Sequence, residues 1–404
     1  MRRKVITIVG TRPEAIKMAP VIRELNRQAS VFEQLVVSTA QHREMLDQVL
    51  SLFAIKPDID LGLMQYNQDL VSFASRSLLQ LSHLLTEVMP DAVLIQGDTT
   101  TGMTAALAAS YQRVCIGHVE AGLRSFDRNE PFPEEINRRV TGCLADLHFA
   151  PTERARLNLV REGVAEDSIF VTGNTIVDAL KSIPLEGDFE DAALNRIVFA
   201  SARILLVTAH RRENHGAPLR SICRALKAIV ESFDDVEIVY PVHLNPNVGS
   251  VVRDELAGAD RVHLIKPVSY QDLLRLMDRS HLILTDSGGI QEEAPSFRKP
   301  VLVLRQVTER PELIEVGGGK LVGTDATRIL DEATVLLTDP VEYERMRSAV
   351  NPFGDGHAAE RIAYELAEHL CRSRQPIPVA GHRSYRPVYE RVATNRGRNQ
   401  QARD

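Results

Sequence analysis

Acidic, basic and histidine side chains cluster directly after short apolar runs of this sequence. Such runs are typical of buried strands, and the carboxyl ends of parallel strands meet at one edge of a sheet. Carboxylates brought to that edge can move protons, while arginine and histidine can bind an anionic group. The segments with this character are Gly10-Thr11-Arg12, Gly97-Asp98-Thr99, His118-Val119-Glu120, His210-Arg211-Arg212-Glu213, His243 and Asp286-Ser287-Gly288-Gly289.

The stretch HLILTDSGGIQEEAP is the strongest indication of a phosphate site. It predicts a buried strand, a tight turn at Ser287, Gly288 and Gly289, and a helix whose free N–H groups bind phosphate. Glu293, about one turn into that helix, can accept a hydrogen bond from a ribose hydroxyl. The alternative is an ordinary turn in which the glycines only relieve steric strain. Neither G-x-x-x-x-G-K-[ST] nor G-x-G-x-x-G occurs, which disfavours a nucleoside triphosphatase and an NAD enzyme.

Asp98 and Glu120 end two apolar runs that we expect to be neighbouring strands. Two carboxylates held together in a partly dry site repel each other, so that one tends to keep a proton, which suits the pair to acid and base catalysis. Glu134 and Glu135 follow Pro133 at a predicted helix start and are further candidates. The alternative for these two is that they only complement the helix dipole.

A metal site is the rival explanation for the acids and histidines. No H-E-x-x-H or comparable spacing links His118, His210 and His243, so metal catalysis is disfavoured. The cysteines are scattered without a C-x-x-C pair, which argues against a zinc site and against disulfides and favours a reducing cytoplasm. We therefore expect neither a metal nor another cofactor.

Two groups of cations accompany the predicted anion site. Arg12 and Lys17 lie on the first segment, and Arg211 and Arg212 lie beside His210. A diphosphate that contacts both groups receives bidentate donors from the arginines. For the stretch HRRE taken alone, a charged surface turn is the alternative.

The order of apolar and amphipathic stretches indicates how these residues are positioned. Val/Ile/Leu-rich runs alternate with helix-like stretches, the pattern of a parallel sheet covered on both faces. We predict two Rossmann-like, doubly wound α/β domains with the active site in the cleft between them. The predicted parts are a first domain (1–182), a linker (183–202), a second domain (203–352), a helix free to pack back on the first domain (353–371) and a disordered basic tail (372–404).

Composition limits the class of protein. The 404 residues are 44% hydrophobic and 25% charged, as in globular proteins. No apolar stretch approaches the roughly 18 residues of a membrane span, and the N-terminal run continues into Arg12, which indicates a strand and not a signal peptide. The net charge of -6 disfavours nucleic acid binding by the main body. Residues 372–404 carry eight arginines against Glu390 and Asp404, and a solvated extension is the simplest interpretation of that tail.

A series of motifs occurs in order between Lys4 and His369: GTRPEAIKMAP, TAQHREMLDQVL, GDTTT, GHVEAGLRS, PFPEEINRR, TGNTIVDAL, TAHRREN, YPVHLNPNV, TDSGGIQEEAPS, TERPE and NPFGDG. Together they resemble the bacterial non-hydrolysing UDP-N-acetylglucosamine 2-epimerases. The resemblance implies a glycosyltransferase-B-like fold and interconversion of UDP-N-acetylglucosamine and UDP-N-acetylmannosamine. It also implies a cytoplasmic homodimer that uses neither metal nor nicotinamide and supplies surface polysaccharide synthesis.

The resemblance also implies roles for individual residues. Asp98, Glu120 and Glu134 match the acid and base candidates of that family, and His210 matches its catalytic histidine. The matching diphosphate and ribose contacts are Arg12, Ser287, Gly288, Gly289 and Glu293.

Some positions bear on regulation or depart from the common pattern. The residues matching a substrate-activated allosteric site are Gln41, Glu134, Arg211 and His243. Glu44 and Asn67 differ from the activated members, which argues against substrate activation. Gln96 stands where many relatives have histidine, and Val307 where threonine is usual.

Three other functions fit parts of the pattern. An epimerase of a modified UDP-sugar, such as a 2,3-diacetamido uronic acid nucleotide, shares the diphosphate contacts. A UDP-sugar glycosyltransferase shares the fold and nucleotide site but has no evident use for three carboxylates. A non-catalytic UDP-sugar sensor with the basic tail as its output is disfavoured by the presence of Asp98, Glu120 and Glu134.

Overall fold

The computed structural model describes residues 2–39, 43–63, 69–192, 194–197, 199 and 201–372. The chain divides into two compact units. The first unit is built from residues up to 179 together with those from 354 onward, and the second from residues 180–353. The chain therefore leaves the first unit once and returns to it.

The first unit contains a parallel sheet. The strands described in it are β1 (Arg3–Val9), β2 (Phe32–Ser38), β3 (Ile59–Asp60), β4 (Ala92–Gln96), β5 (Cys115–Val119), β6 (Leu147–Ala150) and β7 (Ile169–Val171). They pair in the order β3-β2-β1-β4-β5-β6-β7, with every pair parallel. Every residue of β4 is buried, because helices cover both faces of the central strands.

The second unit repeats this plan. Its described strands are β8 (Arg203–Thr208), β9 (Val236–Pro241), β10 (Val262–Ile265), β11 (Leu282–Thr285), β12 (Val301–Val303) and β13 (Gly319–Leu321). They pair in the order β10-β9-β8-β11-β12-β13, again all parallel.

Helices follow most strands, as the amphipathic stretches predict. The α-helices are α1 (Arg12–Arg27), α2 (Arg43–Leu52), α3 (Leu70–Val88), α4 (Thr100–Tyr111), α5 (Glu134–Leu144), α6 (Glu153–Arg161), α7 (Thr175–Lys181), α8 (Ala217–Ser232), α9 (Pro246–Glu255), α10 (Tyr270–Arg279), α11 (Gly288–Glu293), α12 (Pro311–Glu315), α13 (Ala326–Thr338), α14 (Pro340–Arg347) and α15 (Ala358–Arg372). Short 3₁₀ turns occur at Glu166–Ser168, Leu194–Arg196, Arg212–Asn214 and Ala294–Phe297.

Strand β3 and helix α3 differ in how strongly the sequence indicates them. β3 has two residues, too few for a periodic signal. Helix α3 does carry a signal, because its buried positions recur at the three- and four-residue spacing of a helix. Those positions are Phe73, Ser77, Leu81, Leu84 and Leu85.

Helix α15 belongs to the first unit and packs against α1. The backbone N–H of Ala359 donates to the Asp178 carboxylate at 2.9 Å. The Arg361 guanidinium donates to the Thr172 carbonyl, also at 2.9 Å. These bonds fasten the returning chain to the part of the first unit that precedes its departure.

The segment 183–202, predicted as a linker, lies within the second unit. Phe189 and Leu194 are buried there. The backbone N–H groups of Glu190 and Asp191 donate to the Asp272 carboxylate of α10, each at 3.1 Å. The segment thus packs on the second unit as part of its structure.

Each sheet has one point where the direction of strand addition reverses. The reversal lies between β1 and β4 in the first unit and between β8 and β11 in the second. In doubly wound sheets, ligands bind at the loops that follow the strands flanking this switch point. The prediction of two doubly wound α/β domains is confirmed, and no described helix is long and apolar enough to cross a membrane.

Candidate active site

A buried glutamate joins the two loops at the switch point of the first unit. Oε2 of Glu14 accepts hydrogen bonds from the backbone N–H of Gly10 at 2.9 Å and of Thr11 at 2.7 Å. Oε1 accepts from the Thr99 hydroxyl at 2.6 Å. Burial raises the pKa of Glu14, and the hydrogen bonds from Thr99, Thr11 and Gly10 oppose that rise. One carboxylate therefore connects the loop after β1 to the loop after β4.

Arg12 and Lys17, both predicted to bind substrate, lie on α1. Arg12 is the first residue of the helix, directly after the loop that Glu14 holds. Lys17 forms an ion pair with Glu120, and both side chains are largely buried. The structure thus brings Lys17 to a predicted catalytic carboxylate.

Glu120 follows β5 in a left-handed backbone conformation, with φ 63°. For a residue other than glycine this costs roughly 1–2 kcal/mol. Besides Lys17, the carboxylate accepts from the side-chain amides of Gln96 at 3.0 Å and Asn174 at 3.2 Å. Three partners therefore fix a strained residue, a situation common at functional sites.

Asp98 lies in the loop after β4, and β4 is the parallel neighbour of β5 as expected. Its carboxylate forms an ion pair with Arg138 of α5 at 2.6 Å. Asp98 and Glu120 are thus each matched with a cation, Arg138 and Lys17 respectively.

The two glutamates at the start of α5 have different surroundings. Glu135 is 0% exposed, and its carboxylate accepts backbone N–H bonds from Ser125 at 3.0 Å and Phe126 at 3.2 Å. Oε2 of Glu134 is buried and has no hydrogen-bond partner among the described residues. Glu135 positions a loop, while Glu134 has an oxygen that can bind a ligand.

His118 supports the loop that carries Asp98. Its Nε2 donates to the Gly97 carbonyl at 2.8 Å. Burial lowers the pKa of His118 to about 3, so the ring is neutral at ordinary pH. His118 therefore has a structural role in the first unit.

In the second unit, Asp286 is the buried carboxylate that joins the two loops at the switch point, as Glu14 is in the first unit. This fully buried carboxylate accepts at Oδ2 from the backbone N–H of His210 at 2.8 Å and of Arg211 at 2.9 Å. The same oxygen accepts from the Asn214 side chain at 2.9 Å. Asp286 therefore joins the loop after β8 to the loop after β11.

The imidazole of His210 lies between Asp286 and His243. Its Nδ1 is 3.6 Å from Oδ1 of Asp286, and its ring stacks on that of His243 with centroids 5.2 Å apart. Burial lowers the pKa of His210, the charge of Asp286 opposes this, and His243 and Arg211 add to the lowering. The ring therefore titrates below the ordinary range of histidine.

The predicted phosphate-binding residues lie at the start of α11. Ser287 precedes the helix, and Gly288 and Gly289 are its first residues. The Arg211 guanidinium lies beside them, because a Cβ built on Gly288 would be 3.6 Å from its Nη2. Backbone N–H groups and a guanidinium together can bind an anion.

Glu293, the predicted ribose contact, ends α11. Its side chain is buried, and its Oε1 accepts from the Tyr270 hydroxyl at 2.8 Å. The tyrosine thus orients the carboxylate that is predicted to bind the sugar diol.

Some predicted residues cannot be placed in a site. Gln41 and the tail beyond 372 lie outside the described residues. Arg211 and His243, the other predicted allosteric residues, lie beside Gly288 and His210 respectively. Within the described chain, no group of histidine, cysteine or acidic residues could hold a metal ion, and the cysteines are free.

Among the residues that build the site and are missing from the predicted set are Glu14, Arg138 and Asn174. Glu14 has a readable signal, because a threonine followed three residues later by glutamate is typical of a helix start. Arg138 and Asn174 reach the predicted carboxylates from distant parts of the chain. No local pattern indicates contacts of that kind.

Comparisons with known proteins identify the family. Residues 23–367 match the family described as UDP-N-acetylglucosamine 2-epimerase. The UDP-N-acetylglucosamine 2-epimerase of Bacillus subtilis is 50% identical over 379 residues, which are 94% of this chain and 99% of that protein. The Escherichia coli enzyme of the same name is 52% identical over 369 residues, 90% of this chain and 98% of its own. A crystal structure of UDP-GlcNAc 2-epimerase from Neisseria meningitidis, bound to UDP-GlcNAc, is 46% identical and superimposes with a TM-score of 0.83 over 90% of this chain and 100% of that chain. The resemblance drawn from the motifs is thereby confirmed, and the chain belongs to the UDP-N-acetylglucosamine 2-epimerase family, a family of isomerases.

Proposed function

We propose that the protein interconverts UDP-N-acetylglucosamine and UDP-N-acetylmannosamine by reversible epimerisation at C2, without net hydrolysis. The observation that carries the proposal is the placement of Asp98 and Glu120 after two paired strands, β4 and β5. Such a placement supplies the proton-transferring groups that the reaction needs. Relatives with 50% and 52% identity that are named for this activity support the choice of substrate.

The reaction we propose begins with loss of UDP. The proton on sugar C2 is hardly acidic, because no carbonyl group neighbours it. As the bond from C1 to the diphosphate breaks, positive charge develops at C1 and the acidity of the C2 proton rises. A carboxylate takes that proton and leaves 2-acetamidoglucal beside bound UDP. Protonation of C2 from the opposite face, with return of UDP to C1, gives the epimer.

We assign the proton transfers to Asp98, Glu120 and Glu134. The cations that contact Asp98 and Glu120 can balance the charge of each carboxylate as protons come and go. Glu134 contributes the buried oxygen that lacks a hydrogen-bond partner in the described chain. The reaction needs such groups on two faces of one sugar ring, and three carboxylates meet that need.

We assign stabilisation of the departing diphosphate to cations and backbone N–H groups. These are the start of α11, Arg211 and His210, and the motif resemblance adds Arg12 as a further diphosphate contact. Donors already fixed in place stabilise the charge that develops on a leaving group without reorganisation. The carboxylate of Glu293 accepts from the ribose.

Exchange of the C2 proton tests this proposal. The protein is incubated with UDP-N-acetylglucosamine in D2O, and the sugar protons are followed by NMR. We expect the C2 proton signal to disappear while the signals of the manno epimer grow. Absence of exchange over hours at micromolar enzyme would contradict the proposal.

The same experiment separates the other functions. Release of free N-acetylmannosamine and UDP indicates a hydrolysing enzyme. Transfer of the sugar to an acceptor without exchange indicates a glycosyltransferase. Exchange only with a 2,3-diacetamido uronic acid nucleotide indicates an epimerase of that modified sugar.

Asp98→Asn is expected to abolish exchange while UDP affinity, measured by calorimetry, stays within several-fold. The variant removes a proton-transferring group and no proposed diphosphate contact. Glu344→Gln, which breaks an exposed ion pair with Arg347, is the matched control and is expected to keep full exchange. Loss of UDP binding in the Asp98 variant would assign that residue to nucleotide binding instead.

We further propose, from the motif resemblance, that the enzyme is a cytoplasmic homodimer that supplies surface polysaccharide synthesis. Light scattering of the purified chain tests the oligomeric part. A mass of one chain at working concentration would contradict it.

A further inference from the structure

The two carboxylate oxygens of Asp286 have different surroundings. Oδ2 accepts three hydrogen bonds, from the backbone N–H groups of His210 and Arg211 and from Asn214. Oδ1 is equally buried and has no hydrogen-bond partner among the described residues. The Nδ1 atom of His210 lies 3.6 Å from it.

At 3.6 Å, Nδ1 of His210 and Oδ1 of Asp286 are just beyond hydrogen-bond distance. A buried acceptor without a partner costs roughly 1–3 kcal/mol, which favours any donor that can approach it. Because His210 N–H is already bound to Oδ2, the backbone of the histidine is fixed relative to the carboxylate. Rotation of the imidazole about its side-chain bonds then brings Nδ1–H to Oδ1, at a hydrogen-bond distance of about 2.8 Å.

We propose that Asp286 is a positioning residue for His210, holding a proton on Nδ1 so that Nε2 faces the departing diphosphate. The inference rests on the proposed function for the role of His210 in the reaction. With Nδ1–H directed at the carboxylate, Nε2 is the only ring nitrogen left for the substrate. When the ring is protonated, Nε2–H can donate to a phosphate oxygen while Asp286 balances the positive charge.

Of the charged and titratable groups around the His210 ring, Asp286 is the one that stabilises a positive charge on the imidazole. His243 stacks on the imidazole, Arg211 adjoins it in sequence, and Nε2 of His215 donates to the His210 backbone carbonyl at 3.2 Å. All three oppose a positive charge on His210, whereas Asp286 favours it. The carboxylate is thus the one acidic group among these neighbours.

Asp286→Asn is the sharpest test, because the two side chains have the same shape. The three donors at Oδ2 require an acceptor, so the asparagine oxygen takes that place. Its NH2 group then takes the place of Oδ1 and can only donate to Nδ1. The imidazole must therefore move its proton to Nε2, the opposite tautomer.

Histidine-selective ¹⁵N NMR of the ligand-free protein reads the tautomer directly, with the His210 signals assigned by their loss in His210→Gln. We expect Nδ1–H in the wild type and Nε2–H in Asp286→Asn. We also expect kcat for epimerisation to fall at least tenfold, its pH profile to move to lower pH, and the Kd for UDP to change less than kcat.

Asn214→Ala is the matched control. It removes one donor to Oδ2, and the bond from Asn214 to the Leu304 carbonyl, without altering Oδ1. We expect lower stability but an unchanged Nδ1–H tautomer. A purely structural role for Asp286 predicts that both variants loosen the loop and that neither moves the proton.

The outcomes separate this inference from the proposed function. Nε2–H in the wild type, or an unchanged tautomer and pH profile in folded Asp286→Asn, would overturn the inference even if exchange is normal. Nδ1–H in a wild type that shows no C2 exchange would uphold the pairing of Asp286 with His210 and overturn the proposed function. If Asp286→Asn does not fold, the wild-type tautomer alone decides the inference.

Discussion

Glu14 and Asp286 show how single buried carboxylates build both switch points. Loop N–H groups beside a switch point have no partner in a strand or helix, and leaving one buried and unpaired costs roughly 1–3 kcal/mol. Each carboxylate accepts several of these bonds and so fixes a loop. Arg12 directly follows the first of these loops, and His210 lies in the second. Their positions therefore depend on acids that are themselves hidden from solvent.

Glu14→Gln is expected to gain stability relative to the wild type as the pH rises. Burial raises the folded-state pKa of Glu14 above its ordinary value of 4.5. Above that value the unfolded chain loses the proton first and binds fewer protons than the folded state, so wild-type stability falls with rising pH. Glutamine has no proton to lose. Urea unfolding at about pH 4 and about pH 8 measures the difference in free energy between the two proteins.

Glu24 on the same helix is the matched control. Its hydrogen-bonded ion pair with Arg27, at 2.6 Å, lowers its pKa. That carboxylate stabilises the fold above its unfolded pKa and loses the contribution as the pH falls. Glu24→Gln is therefore expected to lose stability relative to the wild type as the pH rises, and a trend of the same sign in both variants would contradict the assignment.

At the scale of elements, the turn after β5 presses against helix α6. Gly122 in this turn has φ 90°, and its carbonyl accepts from the Asn158 side chain at 3.0 Å. A Cβ at Gly122 would lie 2.2 Å from the Ala155 carbonyl oxygen. The close approach of turn and helix fixes the backbone two residues after Glu120.

Gly122→Ala is expected to cost more than about 4 kcal/mol of unfolding free energy, because it adds a backbone clash to an unfavourable φ. Gly163→Ala isolates the second effect, since Gly163 has φ 87° and no described atom lies within 4 Å of a Cβ built there. We expect that control to cost about 1–2 kcal/mol. Urea unfolding compares the two, and equal costs would show that the turn can move away from α6.

The sequence predicts elements better than it predicts contacts. Runs such as AVLIQ and LILT become β4 and β11 because continuous apolar residues have no alternative to burial in a parallel sheet. The ends of those strands therefore locate Asp98 and Asp286 correctly. Their partners are not predictable in the same way, because Arg138 and Asn214 are brought close only by the folded backbone.

At the scale of the whole molecule, buried histidines link stability to pH. His118 and His148 are register partners on β5 and β6, and burial lowers their pKa values to about 3 and about 4 from 6.5. At pH values between the folded-state pKa and the ordinary pKa of 6.5, the unfolded chain binds more protons than the folded state. The free energy of unfolding therefore rises with pH in this range, and the contribution of each neutral histidine is fully present above about pH 7. Each histidine removes about 2 kcal/mol of stability between pH 7 and pH 5.

His148→Asn is expected to lose about 2 kcal/mol less than the wild type over that range. Urea unfolding of both proteins at the two pH values checks this. Identical pH dependence would mean that His148 is protonated as easily in the folded protein as in the unfolded one.

The path of the chain has a consequence for synthesis. The first unit needs α15, which packs on α1, but the roughly 170 residues of the second unit are translated before it. At about 5–20 residues per second, α15 leaves the ribosome roughly 10–35 s after the rest of the first unit. The second unit is continuous and can fold as soon as it is complete. The carboxylates Asp98 and Glu120 therefore belong to the unit whose synthesis begins first and whose last helix is synthesised after the second unit.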